Sequence, residues 1–287
     1  MFKGVDIGGT FVKVFWEDGR KEKHYIRDIK GDREVLLKKI KEIALEGDPE
    51  GVGLAVAGFT SKEGVVFRSP NIPSIDGVDF KNLLSGVKVA VGNDVTLGAY
   101  GEWFYDHRDS EALVLVAVGT GLGGGLVLKG KPYIGVSGSA MEIGHHIIER
   151  GGYPCSCGRR GCWEAYCSSY GLERIYKDLG GESITDREIT ERAKGGEETA
   201  LRTVETFREY LLTGLLNLVH ILNPDRIVLA GGVIEGLKDF LGDLERDLKE
   251  RVEELPGRDL KVSFSGSGEF MGARGALAFI LSQRTDI

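Results

Sequence analysis

The sequence predicts an α/β protein built from two duplicated halves. Three observations carry that reading. An apolar strand closing on Asp6-Ile7 runs into the glycine turn Gly8-Gly9-Thr10, and the same arrangement returns at Ala117-Val118 and Gly119-Thr120-Gly121. Leu54-Ala55-Val56-Ala57-Gly58 is echoed by Val228-Leu229-Ala230-Gly231-Gly232, each an apolar run ending in glycine. The elements around both pairs follow one order, strand-strand-strand-helix-strand-helix, as expected of an internal duplication.

The first half reads as follows. Gly8-Gly9-Thr10 makes a tight turn, and Phe11 to Trp16 alternates apolar and polar residues as a second strand. Asp18-Gly19 is a hairpin signal. A third strand fits Lys23 to Asp28, and Val35 to Leu45 carries helical spacing. Val52 to Ala57 is continuously apolar, as in a strand buried on both faces. Another strand fits Val87 to Val91, followed by a helix from about Asp94 to Phe104.

The second half opens with a strand over Ala112 to Val118 and a return strand over Leu126 to Leu128. Residues 135–170 form a glycine-rich insertion that holds all four cysteines. Helices are expected over residues 186–193, 197–222 and 235–255. A last helix, about Met271 to Leu281, is expected to pack back on the first half. The expected division is a small lobe of residues 1–111 plus 272–287 and a large lobe of residues 112–271, with the metal-binding insertion at about 135–170.

Composition narrows the function classes. Hydrophobic residues make up 41 % and charged residues 28 %, which fits a globular protein in water. The net charge is −7 and no stripe of Lys and Arg stands out, so neither a nucleic-acid surface nor an anionic membrane is an expected partner. No leader-like or bilayer-length apolar run occurs, and a cytoplasmic location is the expectation. The 43 glycines gather at the ends of apolar runs, where backbone can approach a ligand.

Two glycine turns point to phosphates. Gly8, Gly9 and Thr10 follow a buried strand and can aim backbone N–H groups at phosphate oxygens. Asp6 beside them makes sense with a cation such as Mg²⁺, and Lys13 adds positive charge. Gly119, Thr120, Gly121 and Gly123 form the counterpart turn in the second half. Neither turn is a Walker loop, since no Gly-Lys-Ser/Thr follows. Neither is a dinucleotide fingerprint, since a strand follows rather than a helix.

Two further features carry chemistry. Asn93-Asp94 ends a strand and opens a helix, where it can cap the helix or accept a proton from an attacking hydroxyl. Both roles can hold together. Cys155, Cys157 and Cys162 offer three thiolates within eight residues, with Gly158 and Gly161 allowing a tight turn. A closed structural zinc site needs a fourth ligand, and Cys167 and His145 compete for that place.

The chain resembles the ROK family, named for repressors, open reading frames and kinases. The matching motifs are Asp6-Ile7-Gly8-Gly9-Thr10, Asn93-Asp94, Gly119-Thr120-Gly121-Leu122-Gly123-Gly124-Gly125, Glu142-Ile143-Gly144-His145 and the run from Cys155 to Glu164. The resemblance implies an actin-like ATPase (ribonuclease H-like) fold of two duplicated lobes with a cleft between them. It implies phosphorylation of a hexose by ATP, with glucose at O6 leading, and N-acetylmannosamine, fructose, allose and glucosamine as alternatives. A sugar-sensing regulator without catalysis is the other class, and the presence of Asp94 argues against it.

Site roles follow from the same resemblance. Asp94 is the general base, and Asn71, Asn93, Glu142, His145 and Glu164 join it around the sugar. His145, Cys155, Cys157 and Cys162 hold a structural Zn²⁺, leaving Cys167 as a helix residue. Gly231 and Gly232 lie where the family holds adenosine. Homodimers or homotetramers are implied. Three departures from the family's pattern stand out: Ala57-Gly58 in place of Pro-Gly, Ile75 in place of Trp, and Met141 in place of Gly. The first two bear on which sugar fits.

Overall fold

The computed structural model describes residues 1–61 and 63–285. The chain divides into two compact units: residues 1–111, 125–141 and 267–287, and residues 112–124 and 142–266. In chain order the first part contains β1 (Phe2–Ile7), β2 (Phe11–Trp16), β3 (Lys21–Tyr25), α1 (Arg33–Leu45), β4 (Gly51–Val56), β5 (Phe59–Thr60), β6 (Val66–Arg68), α2 (Phe80–Leu83), β7 (Lys88–Asn93) and α3 (Asp94–Asp106). There follow β8 (Ala112–Val118), β9 (Leu122–Leu128), β10 (Lys131–Pro132), α4 (Ser169–Asp178), α5 (Asp186–Lys194) and α6 (Glu198–Leu222). The chain ends with β11 (Arg226–Ala230), α7 (Gly232–Leu237), α8 (Leu244–Arg251), α9 (Glu254–Gly257), β12 (Lys261–Phe264) and α10 (Met271–Ser282).

The two main sheets run β3-β2-β1-β4-β7 and β10-β9-β8-β11-β12. Numbered within each sheet, both read third, second, first, fourth, fifth. The duplication seen in the glycine turns is therefore also a duplication of topology. β1 pairs antiparallel with β2 and parallel with β4, and β11 pairs parallel with both β8 and β12.

Burial explains why these segments are strands. All six residues of β4 are buried, so its apolar run has both faces covered. In β2 only Val12, Val14 and Trp16 are buried, which is the alternation of a half-covered strand. Val5, Ile7, Val12, Val14, Leu54 and Val56 share one core with Leu36, Ile40 and Ile43 of α1. Asp32 caps α1 by accepting from the Glu34 and Val35 N–H groups. At the other end of α1, the fully buried Lys3 of β1 donates to the Ile43 and Glu46 carbonyls at 2.7 Å each. That satisfies acceptors a helix end leaves open.

α10 packs on β1, β4 and α3 in the first unit, and small residues decide how closely. A Cβ on Gly4 would stand 1.9 Å from the Ala273 carbonyl oxygen, and one on Gly53 would stand 1.9 Å from that of Ala276. Part of the glycine richness thus serves helix-on-sheet packing rather than ligand approach.

Several expectations need correction. β3 starts at Lys21, not Lys23, because the turn at Gly19 (φ 89°) is tight enough for Phe15 to pair with Lys21 at once. β9 starts at Leu122, inside the glycine run, because ladder pairing holds residues whose propensity argues against a strand. The helix expected over residues 235–255 is broken after Leu237. Gly242 (φ 65°) takes a left-handed turn there, and Asp243 caps a new helix through the Arg246 N–H. Residues 125–141, read from sequence with the second half, pack in the first unit, where a Cβ on Gly125 would stand 2.6 Å from Ala99 Cβ of α3. The helix read at Cys167 starts only at Ser169, as α4, where the Ser168 side chain caps it by accepting from the Gly171 N–H. No helix among the described residues is long and apolar enough to cross a membrane.

Gly53→Ala is expected to lower stability by about 3 kcal/mol, since backbone of α10 must move to admit the methyl. A urea titration against the unaltered chain, with a shifted midpoint, measures this; an unchanged midpoint would contradict the packing described.

Candidate active site

The site residues divide between the units. Asp6, Gly8, Gly9, Thr10, Lys13, Asn71, Asn93 and Asp94 belong to the first. Gly119, Thr120, Gly121, Gly123, Glu142, His145, Cys155, Cys157, Cys162, Glu164, Gly231 and Gly232 belong to the second.

In the first unit, β1 delivers Asp6, β7 ends on Asn93, and Asp94 opens α3. The Gly8 N–H donates to the Phe11 carbonyl at 3.0 Å and closes the turn. A Cβ built on Gly9 would stand 3.5 Å from Asn71 Cβ, so Asn71 lies beside this turn. Asn93, not Asp94, caps α3: its side-chain oxygen accepts from the Val95 and Thr96 N–H groups at 3.0 Å each. Its amide donates to Asp94 Oδ1 at 3.0 Å and to the Gly58 carbonyl at 3.1 Å. One asparagine thus starts the helix and orients the neighbouring carboxylate.

Burial pushes the Asp6 carboxyl up to about 7; the Asp94 charge adds to the rise and Lys13 opposes it. A carboxylate so poor in water and so near another suits a bound cation, which would hold it ionised. Lys13 stands opposite Asp6 in the β1–β2 ladder, but its ammonium donates to the Glu269 carbonyl at 2.8 Å. Sequence reasoning missed Gly272 in α10. Any side chain there would meet Asp6, whose carboxyl carbon lies 2.8 Å from the Cβ position. A helix N-terminal turn is thereby set against the carboxylate.

In the second unit, His145, Cys155, Cys157 and Cys162 converge, with their ligand atoms all within 4.8 Å of one another. Cys155 Sγ lies 3.7 Å from His145 Nδ1, and Cys157 Sγ lies 3.6 Å from Cys162 Sγ. Thiolates around a tetrahedral zinc with bonds of about 2.3 Å stand about 3.8 Å apart. The separations and the donor set fit that ion and are too long for a disulfide. Cys167 is elsewhere: it lies before α4 rather than in a helix, and its thiol donates to the Phe207 carbonyl at 3.7 Å. The fully buried Trp163, between Cys162 and Glu164, donates to the Tyr210 carbonyl at 3.0 Å and anchors this loop on α6.

Glu164 joins the loop to the glycine turn. Its Oε2 accepts from the Leu122 N–H at 2.9 Å, and a Cβ at Gly121 would stand 2.5 Å from the same oxygen, so a side chain there would displace the carboxylate. Glu142 retains exposed surface, yet lost hydration pushes its carboxyl up, with His145 opposing and Glu164 adding to the rise. Met141 is held at φ 67°, a conformation that favours glycine. Gly231 (φ 98°) has no room for a side chain, since a Cβ would stand 2.2 Å from the Val118 carbonyl oxygen. Ser156 and Tyr170, which contact Glu164, carried no signal in the sequence reading.

Comparison with known proteins settles the family. The pattern of the ROK family matches residues 2–283. This chain belongs to the ROK family. Among ROK relatives, the N-acetyl-D-glucosamine kinase of Histophilus somni is 31 % identical, over 99 % of this chain and 100 % of that one. The glucokinase of Thermotoga maritima is 31 % identical over 96 % of each chain. The ROK hexokinase of Thermus thermophilus superposes with a TM-score of 0.85 at 27 % identity, covering 100 % of this chain and 99 % of that one. A ROK family glucokinase of Streptomyces griseus, solved with glucose and AMPPNP, has a TM-score of 0.78 at 26 % identity over 97 % and 98 % of the chains. The fold is therefore the actin-like ATPase fold of the ROK sugar kinases.

The Asp6 carboxyl gives a pH-dependence. Its folded value of about 7 lies above the ordinary 3.8, so the folded state holds the proton longer. Stability of the metal-free protein should then fall as pH rises from about 4 to about 7, by up to about 4 kcal/mol from this group. Asp6→Asn should remove that slope. Urea midpoints of both proteins across this range measure it; parallel curves would contradict the assignment.

Proposed function

We propose that this chain, a sugar phosphotransferase of the ROK family, transfers the terminal phosphoryl group of ATP to a hexose hydroxyl, with O6 of glucose the leading acceptor. The observation that carries the reading is the Asn93–Asp94 pair, in which Asn93 does the capping and orients the Asp94 carboxylate. Asp94 accepts the proton of the attacking hydroxyl. Asn71, Asn93, Glu142, His145 and Glu164 hold the remaining hydroxyls. The glucose and AMPPNP of the Streptomyces griseus enzyme support both the sugar and the nucleotide.

The N–H groups of the turns at Gly8, Gly9 and Thr10 and at Gly119, Thr120, Gly121 and Gly123 orient phosphate oxygens, and Gly231 and Gly232 border the adenosine. Asp6 would hold Mg²⁺, which supplies positive charge against the phosphates. His145, Cys155, Cys157 and Cys162 would hold Zn²⁺, which with four protein ligands supplies rigidity and no open position. Catalysis is then positioning and electrostatics. The relatives named above act on glucose and on N-acetyl-D-glucosamine, so the acceptor is a hexose whose 2-substituent is open.

A coupled assay should show ADP release stimulated many-fold by glucose or a close relative. No stimulation by any hexose in a panel would refute the activity. Asp94→Asn should lower kcat by about 10²–10⁴-fold while sugar affinity, read by calorimetry, stays within a few-fold. Elemental analysis should find about one zinc per chain, and Cys162→Ser should lose it and melt at lower temperature; a metal-free preparation with full activity and unchanged melting would remove the zinc.

A further inference from the structure

Glu164 is held by more than the motif that contains it. Its Oε1 accepts from Ser156 Oγ at 3.1 Å and from the Tyr170 hydroxyl at 3.1 Å. Its Oε2 accepts from the Leu122 N–H at 2.9 Å. Cys155 Sγ also lies 3.9 Å from Oε1, but as a thiolate on the proposed zinc it would have no proton to donate. Glu164 is buried, with 9 % of its surface exposed, so the three oxygen and nitrogen donors replace its water. An ionised carboxylate has about four acceptor positions. Three are taken by the protein, and the direction of the fourth is set by them.

Tyr170 is the decisive donor of the three. It lies on α4, in a turn fixed by the Ser168 cap and by Ser169, which donates to the Gly119 carbonyl from both its N–H at 2.8 Å and its hydroxyl at 3.1 Å. Its phenol therefore arrives from a rigid helix start rather than from the zinc loop.

We propose that Tyr170 is a positioning residue for sugar recognition: with Ser156 it fixes Glu164 so that one acceptor position remains for the sugar. This rests on the reading that Glu164 meets the sugar. The chemistry of the remaining position follows. A carboxylate only accepts, so the sugar substituent that meets it is a donor: a hydroxyl, an amine or an amide N–H. A deoxy, fluoro or O-methyl group at that carbon offers no proton and is rejected. By this count the remaining position is on Oε2, beside the Leu122 bond, while Tyr170 and Ser156 act on Oε1.

The test is Tyr170→Phe, which keeps the ring and removes the hydroxyl. Expected are a rise of about 10-fold in sugar KM, an ATP KM and kcat within about twofold, and unchanged zinc content and melting. Discrimination between the parent sugar and the deoxy analogue it most strongly rejects should fall by a similar factor. Ser156→Ala should move sugar KM in the same direction and serves where Tyr170→Phe folds poorly. In a double-mutant cycle, Tyr170→Phe should add little once Glu164→Gln is present, because it acts through that carboxylate. An unchanged sugar KM, or effects that simply add, would overturn the proposal. An unaltered chain that phosphorylates no sugar would instead overturn the function proposed above, and this inference with it.

Discussion

Backbone lying directly on backbone is the constraint on which the first unit depends. α10 can rest on β1 and β4 only because Gly4 and Gly53 present no side chain to the Ala273 and Ala276 carbonyls. The same closeness carries the N-terminal turn of α10 to Asp6, past Gly272. Asp6 loses water as a result, and its carboxyl rises to about 7. A packing choice between a helix and a sheet therefore sets the electrostatics of a carboxylate more than a hundred residues away in the fold's chain order. Adding a methyl group at Gly272 would disturb chemistry and packing together, whereas at Gly53 it would disturb packing first.

The second unit uses the same constraint for a different end. Gly121 and Gly144 leave room for Glu164 and for the Leu122 carbonyl, which a Cβ on Gly144 would approach to 2.2 Å. Trp163 fills the space beside Gly214 of α6, whose Cβ position is 2.0 Å from the indole ring. A large ring against a glycine fixes the loop sideways, and the converging cysteines and His145 fix it at its tip. Between those anchors Glu164 has little freedom, which is the condition for a carboxylate to discriminate among hydroxyls rather than merely attract them.

Much of this was legible in the sequence, for physical reasons. A glycine turn after an apolar strand marks backbone approach whatever the tertiary context, so both turns could be located. Three cysteines within eight residues mark a loop whose thiols are expected to converge, so the cysteine loop that meets His145 could be located too. What failed was whatever depends on contacts distant in sequence. The break after Leu237 rests on a left-handed Gly242 inside a run of good helix formers, and local propensity hid it. β9 begins among glycines because its ladder partners hold it. Ser156 and Tyr170 became visible only when folding placed their hydroxyls 3.1 Å from one carboxylate oxygen. Asn93 and Asp94 were singled out together, but which of them caps is a matter of rotamer, and sequence does not carry that.

The departures from the family pattern also change meaning in three dimensions. Ile75 stands where the resemblance led to an expectation of tryptophan. It is fully buried and packs in the core with Ile72, so here the position fills the interior of the first unit. Ala57-Gly58 is different. The Gly58 carbonyl accepts the Asn93 amide, and the Ala57 carbonyl accepts the Ser69 hydroxyl at 2.7 Å. Gly58 also lies so close to β6 that a Cβ would stand 2.4 Å from the Arg68 carbonyl oxygen. The segment is thus clamped from β6 on one side and bonded to the residue that orients Asp94 on the other. Of the two departures that bear on the sugar in the sequence analysis, the one at Ala57-Gly58 reaches the Asn93–Asp94 pair through a hydrogen bond, and the one at Ile75 acts through packing alone.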